Sequence, residues 1–144
     1  MENKKVQFFY QQVRFSFLKR NTLKLFIETL FIAEKKKLQH LNVIFCTDEA
    51  LLAINKRFLN HNYYTDIITF DYSQNNIISG DIFISLDTVK TNAEQFGVAY
   101  EQELHRIIIH GILHLCGQDD KTPESRKTMT AKENEALNDL ANNE

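Results

Sequence analysis

No run of this chain approaches the roughly 18 to 20 uninterrupted apolar residues that a membrane-spanning helix needs. Its first residues, Met1, Glu2, Asn3, Lys4 and Lys5, are too polar to open a signal peptide. The expectation is a cytoplasmic protein that enters no membrane. Proline occurs once and glycine four times, which leaves no low-complexity linker, and there is no repeat at a solenoid period. The elements are therefore expected to pack as one domain over residues 1–144. Cysteine is scarce too: Cys46 and Cys116 lie far apart and read as two reduced thiols rather than a disulfide. Apolar content is not lacking, because 43% hydrophobic residues with 11 Phe in 144 residues suffice for one core.

The net charge of -2 hides an asymmetry. Residues 1–40 carry nine Lys or Arg against three acids, a net +6, and residues 41–144 carry eight against sixteen, a net -8. The basic segment (Lys4, Lys5, Arg14, Lys19, Arg20, Lys24 and Lys35 to Lys37) could face the phosphates of a nucleic acid or be a solvated helix face.

Hydrophobic periodicity orders the elements. Residues 6–13 have the aromatic and β-branched content of a strand. Asn21 is the expected N-cap of a helix in which Leu23, Phe26, Ile27 and Leu30 share a face, and Lys35 to Lys37 would close it against its dipole. Residues 41–46 read as a buried strand, followed by a helix capped by Thr47, opened by Asp48 and Glu49, with Leu51 and Phe58 on its apolar side, and ending near Leu59. Residues 66–72 and 81–86 read as strands around the turn chemistry of Ser73 to Asn76, an antiparallel hairpin or near neighbours. Asp87 would cap a short helix stopped near Gly97. A longer helix should run from about Tyr100 to Cys116 with Gly117 just past its end, and Thr122, Pro123 and Glu124 announce a last one. The order β α β α β β α α α predicts an α+β fold, a small mixed sheet of about four strands surrounded by helices.

The chemistry concentrates in His110, Gly111, Ile112, Leu113, His114, Leu115, Cys116, Gly117, Gln118, Asp119 and Asp120. Two histidines four apart on a helix differ by about 40° around its axis, so both imidazoles can close on one ion. Gly117 can adopt the left-handed conformation that ends the helix and folds the chain back, offering the Asp120 carboxylate as third ligand. Three protein ligands leave a position for water. An HxxxH pair also arises by chance, but this helix is apolar on nearly all sides, where two unpaired imidazoles would be costly to bury. Gly111 costs a helix interior about 1 kcal/mol relative to Ala, so something should approach the backbone there. It also stands where a zinc peptidase of the HExxH type carries its general base, which argues against peptide hydrolysis.

These residues resemble the YbeY family of bacterial rRNA maturation factors, described as metal-dependent single-strand endoribonucleases. The family motif H-G-x-L-H-L-x-G-x-D-H is met by His110, Gly111, Leu113, His114, Leu115, Gly117 and Asp119. Thr65, Asp66 and Phe70 fit a T-D-V-L-S-F-like strand, Gly80, Asp81 and Ile82 a G-D-I element, and Met129 with Glu133 a C-terminal element. The resemblance covers about residues 40–140. It implies hydrolysis of an RNA phosphodiester in rRNA maturation and ribosome assembly. It also implies rRNA precursor and ribosomal particles or assembly proteins as partners, His110, His114 and Asp120 as metal ligands, and Asp119 as a supporting or base residue. Two positions depart from the family. Its third histidine falls on Asp120, which makes bound water less acidic than three imidazoles would and lets Mn, Fe or Ni compete with Zn2+, still the first choice. Its N-x-x-Y-R arginine falls on Leu59, leaving Arg57 as the substrate-phosphate candidate. His61 and His105 read as surface or packing histidines. The alternatives are a ribosome-assembly binding factor with a structural metal, and a metal-dependent hydrolase of a small molecule.

Overall fold

The computed structural model describes residues 5–14 and 19–142. Lys4 of the basic segment, and all but Lys5 of the opening residues read against a signal peptide, lie outside them. The described elements are β1 (Val6–Tyr10), α1 (Arg20–Ala33), β2 (Lys37–Cys46), α2 (Asp48–Leu59), β3 (Ile67–Asp71), β4 (Ile77–Ser85), α3 (Leu86–Phe96), α4 (Tyr100–Leu115) and α5 (Pro123–Asn142). The order and the α+β class are those the periodicity predicts. The four strands form one mixed sheet in the order β1-β2-β4-β3. β1 and β4 both run parallel to β2, and β3 closes the edge antiparallel to β4, so the expected hairpin forms.

Alternation along the strands divides the core between two faces. Val6 and Phe8, Leu41, Val43 and Phe45, and Ile78, Ile82 and Ile84 meet α1, α4 and α5 in the main core. Cys46, Ile68, Phe70 and Phe83 point the other way and pack under α2 through Leu51 and Ile54. α4 is the central helix. Leu104, Ile108 and Ile112 are completely buried, and each side chain of that size gives about 1.5–3 kcal/mol on leaving water. Gly111 permits the fit, since a Cβ there would lie 2.9 Å from Ile67 Cδ1 and 3.0 Å from Ile82 Cδ1. The sheet comes up against the helix at that residue, as its cost implies.

Several element ends differ from expectation. β1 stops at Tyr10, and Gln12 just beyond it takes a positive φ of 58° that a continuing strand does not allow. Asn21 lies inside the first turn of α1: Leu23 donates to the Lys19 carbonyl, which makes Lys19 the cap, without a side-chain bond. The lysines do not close α1. Lys35 has a φ of 61°, Lys35 N–H bonds the Ile32 carbonyl and Lys36 N–H the Phe31 carbonyl, a Schellman end, and Lys37 already belongs to β2. α3 is capped by Ser85, which accepts from Thr88 N–H, while Asp87 accepts the backbone N–H of Asp48. Thr47 does cap α2, accepting from Ala50 N–H.

Candidate metal centre

α4 ends as its sequence predicts, and that ending assembles the site. Gly117 takes a φ of 99°, its N–H bonds the His114 carbonyl, and Gln118 N–H bonds the Leu113 carbonyl. This Schellman turn reverses the chain onto the last turn of the helix. Three residues later the Asp120 carboxylate faces the two imidazoles. His110 Nε2 and His114 Nε2 lie 3.0 Å apart, and Asp120 Oδ2 is 3.4 Å from each. Zinc bonds of about 2.1 Å at tetrahedral angles place donors about 3.4 Å apart. Two nitrogens and one carboxylate oxygen with that spacing fit a borderline divalent ion. Side-chain exposures of 26%, 32% and 35% for His110, His114 and Asp120 leave one side of the triangle open.

Glu133 of α5 fixes the orientation of His110. Its Oε2 lies 2.6 Å from His110 Nδ1, and its Oε1 accepts from Arg106 Nη1 at 2.8 Å. A carboxylate at Nδ1 keeps the proton there, leaving the Nε2 lone pair on the side of His114 and Asp120. Arg106 is steadied in turn by Asn134 Oδ1 at 2.7 Å. Burial opposes the charged form of His110, but the hydrogen bond and charge of Glu133, aided by Asp120 and Asp66, outweigh it and hold the imidazole above its ordinary value. Beside it lies a cleft of about 110 Å³, lined by Asp66, Glu103, Arg106, His110 and Glu133 among others. Burial raises Asp66 against the lowering pull of its own backbone N–H and of His110, and burial raises Glu103 despite Arg106. A larger groove of about 440 Å³ between Glu101 and Ala141 holds none of the three donors.

The remaining candidates are dispersed. Asp119 is exposed, and its Oδ1 accepts from Lys121 N–H at 2.8 Å. Arg57 is exposed on α2, its guanidinium 5.3 Å from the centre of the Phe58 ring. His61 is exposed and stacked on Tyr63, and His105 is buried with Nε2 3.8 Å from Glu101. Neither joins the three donors, in keeping with the surface or packing role expected of them. Glu133, matched by the resemblance but given no role there, and Arg106 are the residues linked to the three donors that motif reading leaves unassigned. A signal existed for the first: Met129, Glu133, Ala136 and Leu140 form the buried stripe of α5, and an acid on such a stripe needs a partner.

Comparison with known proteins agrees over most of the chain. The family model described as Endoribonuclease YbeY matches residues 2–141. An Endoribonuclease YbeY of Bacteroides thetaiotaomicron is 56% identical over 119 residues, covering 83% of this chain and 86% of the relative. One from Parabacteroides distasonis is 48% identical over 132 residues, covering 92% and 93%. Among solved structures, a protein of Thermotoga maritima superposes with a TM-score of 0.70 at 27% identity, covering 94% of this chain and 88% of its own.

Proposed function

We propose that this chain, which belongs to the YbeY family, is a metal-dependent endoribonuclease that hydrolyses phosphodiesters of single-stranded RNA during rRNA maturation. The observation that carries the proposal is the open triangle of His110 Nε2, His114 Nε2 and Asp120 Oδ2 at 3.0–3.4 Å. These three residues would hold the ion, with Zn2+ the proposed occupant. Bound there, a divalent ion would supply a lowered pKa for water and polarisation of a phosphoryl oxygen.

The protein's own groups do the rest. Glu133 holds His110 in one tautomer and one orientation, and Arg106 holds Glu133. Asp120 brings a negative charge that offsets a cation's charge at the mouth of the site. Asp119 is the proposed proton acceptor: it neighbours a ligand, is exposed, and has one oxygen anchored by the Lys121 N–H. Asp119→Asn should lower kcat by about 10²- to 10⁴-fold while metal content stays at the wild-type level; an unaltered kcat removes it from the reaction. Arg57 is the proposed contact to a substrate phosphate. Partial exposure of all three donors favours catalysis over a metal that only staples the helix end, since structural zinc sites are closed by four protein ligands. Precursor rRNA in ribosomal particles is the proposed substrate, and the cytoplasm its place; no described helix is long and apolar enough to cross a membrane. The test is His114→Ala, expected to lose bound metal and single-strand cleavage together. A folded, metal-free variant that still cleaves refutes the reading.

A further inference from the structure

The loop joining α2 to β3 displays aromatic rings in a way that packing does not require. Asn60 ends α2 in the left-handed conformation, with its N–H and that of His61 directed at the Asn55 carbonyl. The side chain of Asn55, only 1% exposed, donates to the Tyr63 carbonyl at 2.9 Å. Asn55 thus pins both ends of a short turn, one through its backbone carbonyl and the other through its buried side-chain amide. Upon it the His61 and Tyr63 rings stack with centres 5.0 Å apart and planes 21° apart, and Tyr63 Oη lies 3.0 Å from His61 Nδ1. Phe58 is 61% exposed beneath the Arg57 guanidinium, and Tyr63 and Tyr64 are each 56% exposed. Rings of this kind normally bury 150–250 Å² apiece. Here buried hydrogen bonding holds the His61–Tyr63 pair out in water, while Phe58 projects from the last turn of α2 with its ring edge-on to Phe70 at 6.0 Å.

The loop also has a position. Asp66, three residues past Tyr63, lines the cleft that His110 lines, and three extended residues reach at most about 11 Å. Tyr63 therefore lies within about 11 Å of a residue that lines the same cleft as His110. Building on the endoribonuclease reading above, we propose that His61, Tyr63 and Phe58 form a base-stacking platform for single-stranded RNA entering the site, with Arg57 on an adjoining phosphate. Unpaired bases offer faces that stack on such rings, and a duplex does not. A preset loop receives them with little ordering cost. The composition suits nucleic acid better than a protein surface: residues 56–64 contain two cations, four rings and two Asn against a single aliphatic side chain, Leu59.

The probe is a short single-stranded oligoribonucleotide carrying 2-aminopurine, whose fluorescence falls on stacking, with a blunt RNA duplex of the same sequence beside it. The metal-loaded protein should bind the single strand with quenching, and the double variant His61→Ala, Tyr63→Ala should lose about 10- to 100-fold in affinity together with the quenching. KM for cleavage should rise in parallel, metal content should not change, and Tyr63→Phe should keep both binding and quenching. The platform is refuted by wild-type single-strand affinity in the folded double variant, by an equal loss for the duplex, or by a loss confined to ribosomal particles, which would mark a protein-binding surface. Wild-type cleavage matched by both variants would remove the platform alone. A wild-type protein that neither binds nor cleaves RNA would remove the endoribonuclease reading with it.

Discussion

Glu133 does two jobs with two oxygens, one on His110 Nδ1 and one on Arg106. Glu133→Ala leaves the imidazole free to rotate and Arg106 without its carboxylate, so metal affinity should fall about 10- to 100-fold in competition with a chelator; an unchanged affinity would mean the pair is incidental. The same pairing sets a pH dependence. The folded pKa of His110 is raised, so in the metal-free protein its contribution to stability is complete below the unfolded histidine value of about 6.5 and is lost as pH rises through the folded one. A metal must displace the Nε2 proton of the charged imidazole. Apparent affinity should therefore climb with pH through the raised His110 value, with proton release on binding; a flat profile would contradict it. At this scale the grouping of His110, His114 and Asp120 was legible, because helical spacing and a glycine stop are local. The role of Glu133 was not, because its partner lies 23 residues away: the resemblance marked the residue and the apolar stripe hinted at burial, but neither named His110.

Helix ends govern the site at the scale of elements. Gly117 turns the chain at a φ of 99° that an L side chain resists, so Gly117→Ala should cost about 1–2 kcal/mol and weaken metal binding by displacing Asp120; urea melts and chelator competition measure the two effects separately. Gly80 performs a different service. A Cβ there would sit 2.9 Å from the Phe70 carbonyl oxygen and 3.0 Å from Leu115 Cδ2. The backbone of β3 cannot give way as a side-chain tip can, so Gly80→Ala should destabilise the fold by about 1–3 kcal/mol, visible as a lower Tm. Element order was readable from periodicity, whereas several ends were not. Ser85 won the α3 cap over Asp87 because Asp87 accepts from Asp48 N–H. Lys35 took the left-handed position that Gly occupies after α4, and nothing in the identity of a lysine foretells that.

For the molecule as a whole, the site is a junction. His110 and His114 come from the central helix, Asp120 from the turn after it, and Glu133 from α5, while Ile67 and Ile82 of the sheet press on Gly111 from beneath. A bound ion ties α4 to its following turn, so chelation should lower Tm as well as activity. The thiols stand outside this chemistry. Burial, aided by Asp48 and Asp87, pushes Cys46 up to about 11, and burial with Glu34 pushes Cys116 up to about 12. Neither supplies a thiolate near neutral pH. The basic segment is legible only as composition: Arg20 and Lys24 lie over the buried Phe8 ring at 5.7 and 5.6 Å, an arrangement that charge counting cannot place relative to the site. The most direct measurement is a titration of chelator-stripped protein with Zn2+ while cleavage of a single-stranded RNA is followed. The account predicts no cleavage at the start and a rise that saturates at one bound ion per chain. Cleavage by the stripped protein at the rate of the loaded one would contradict it.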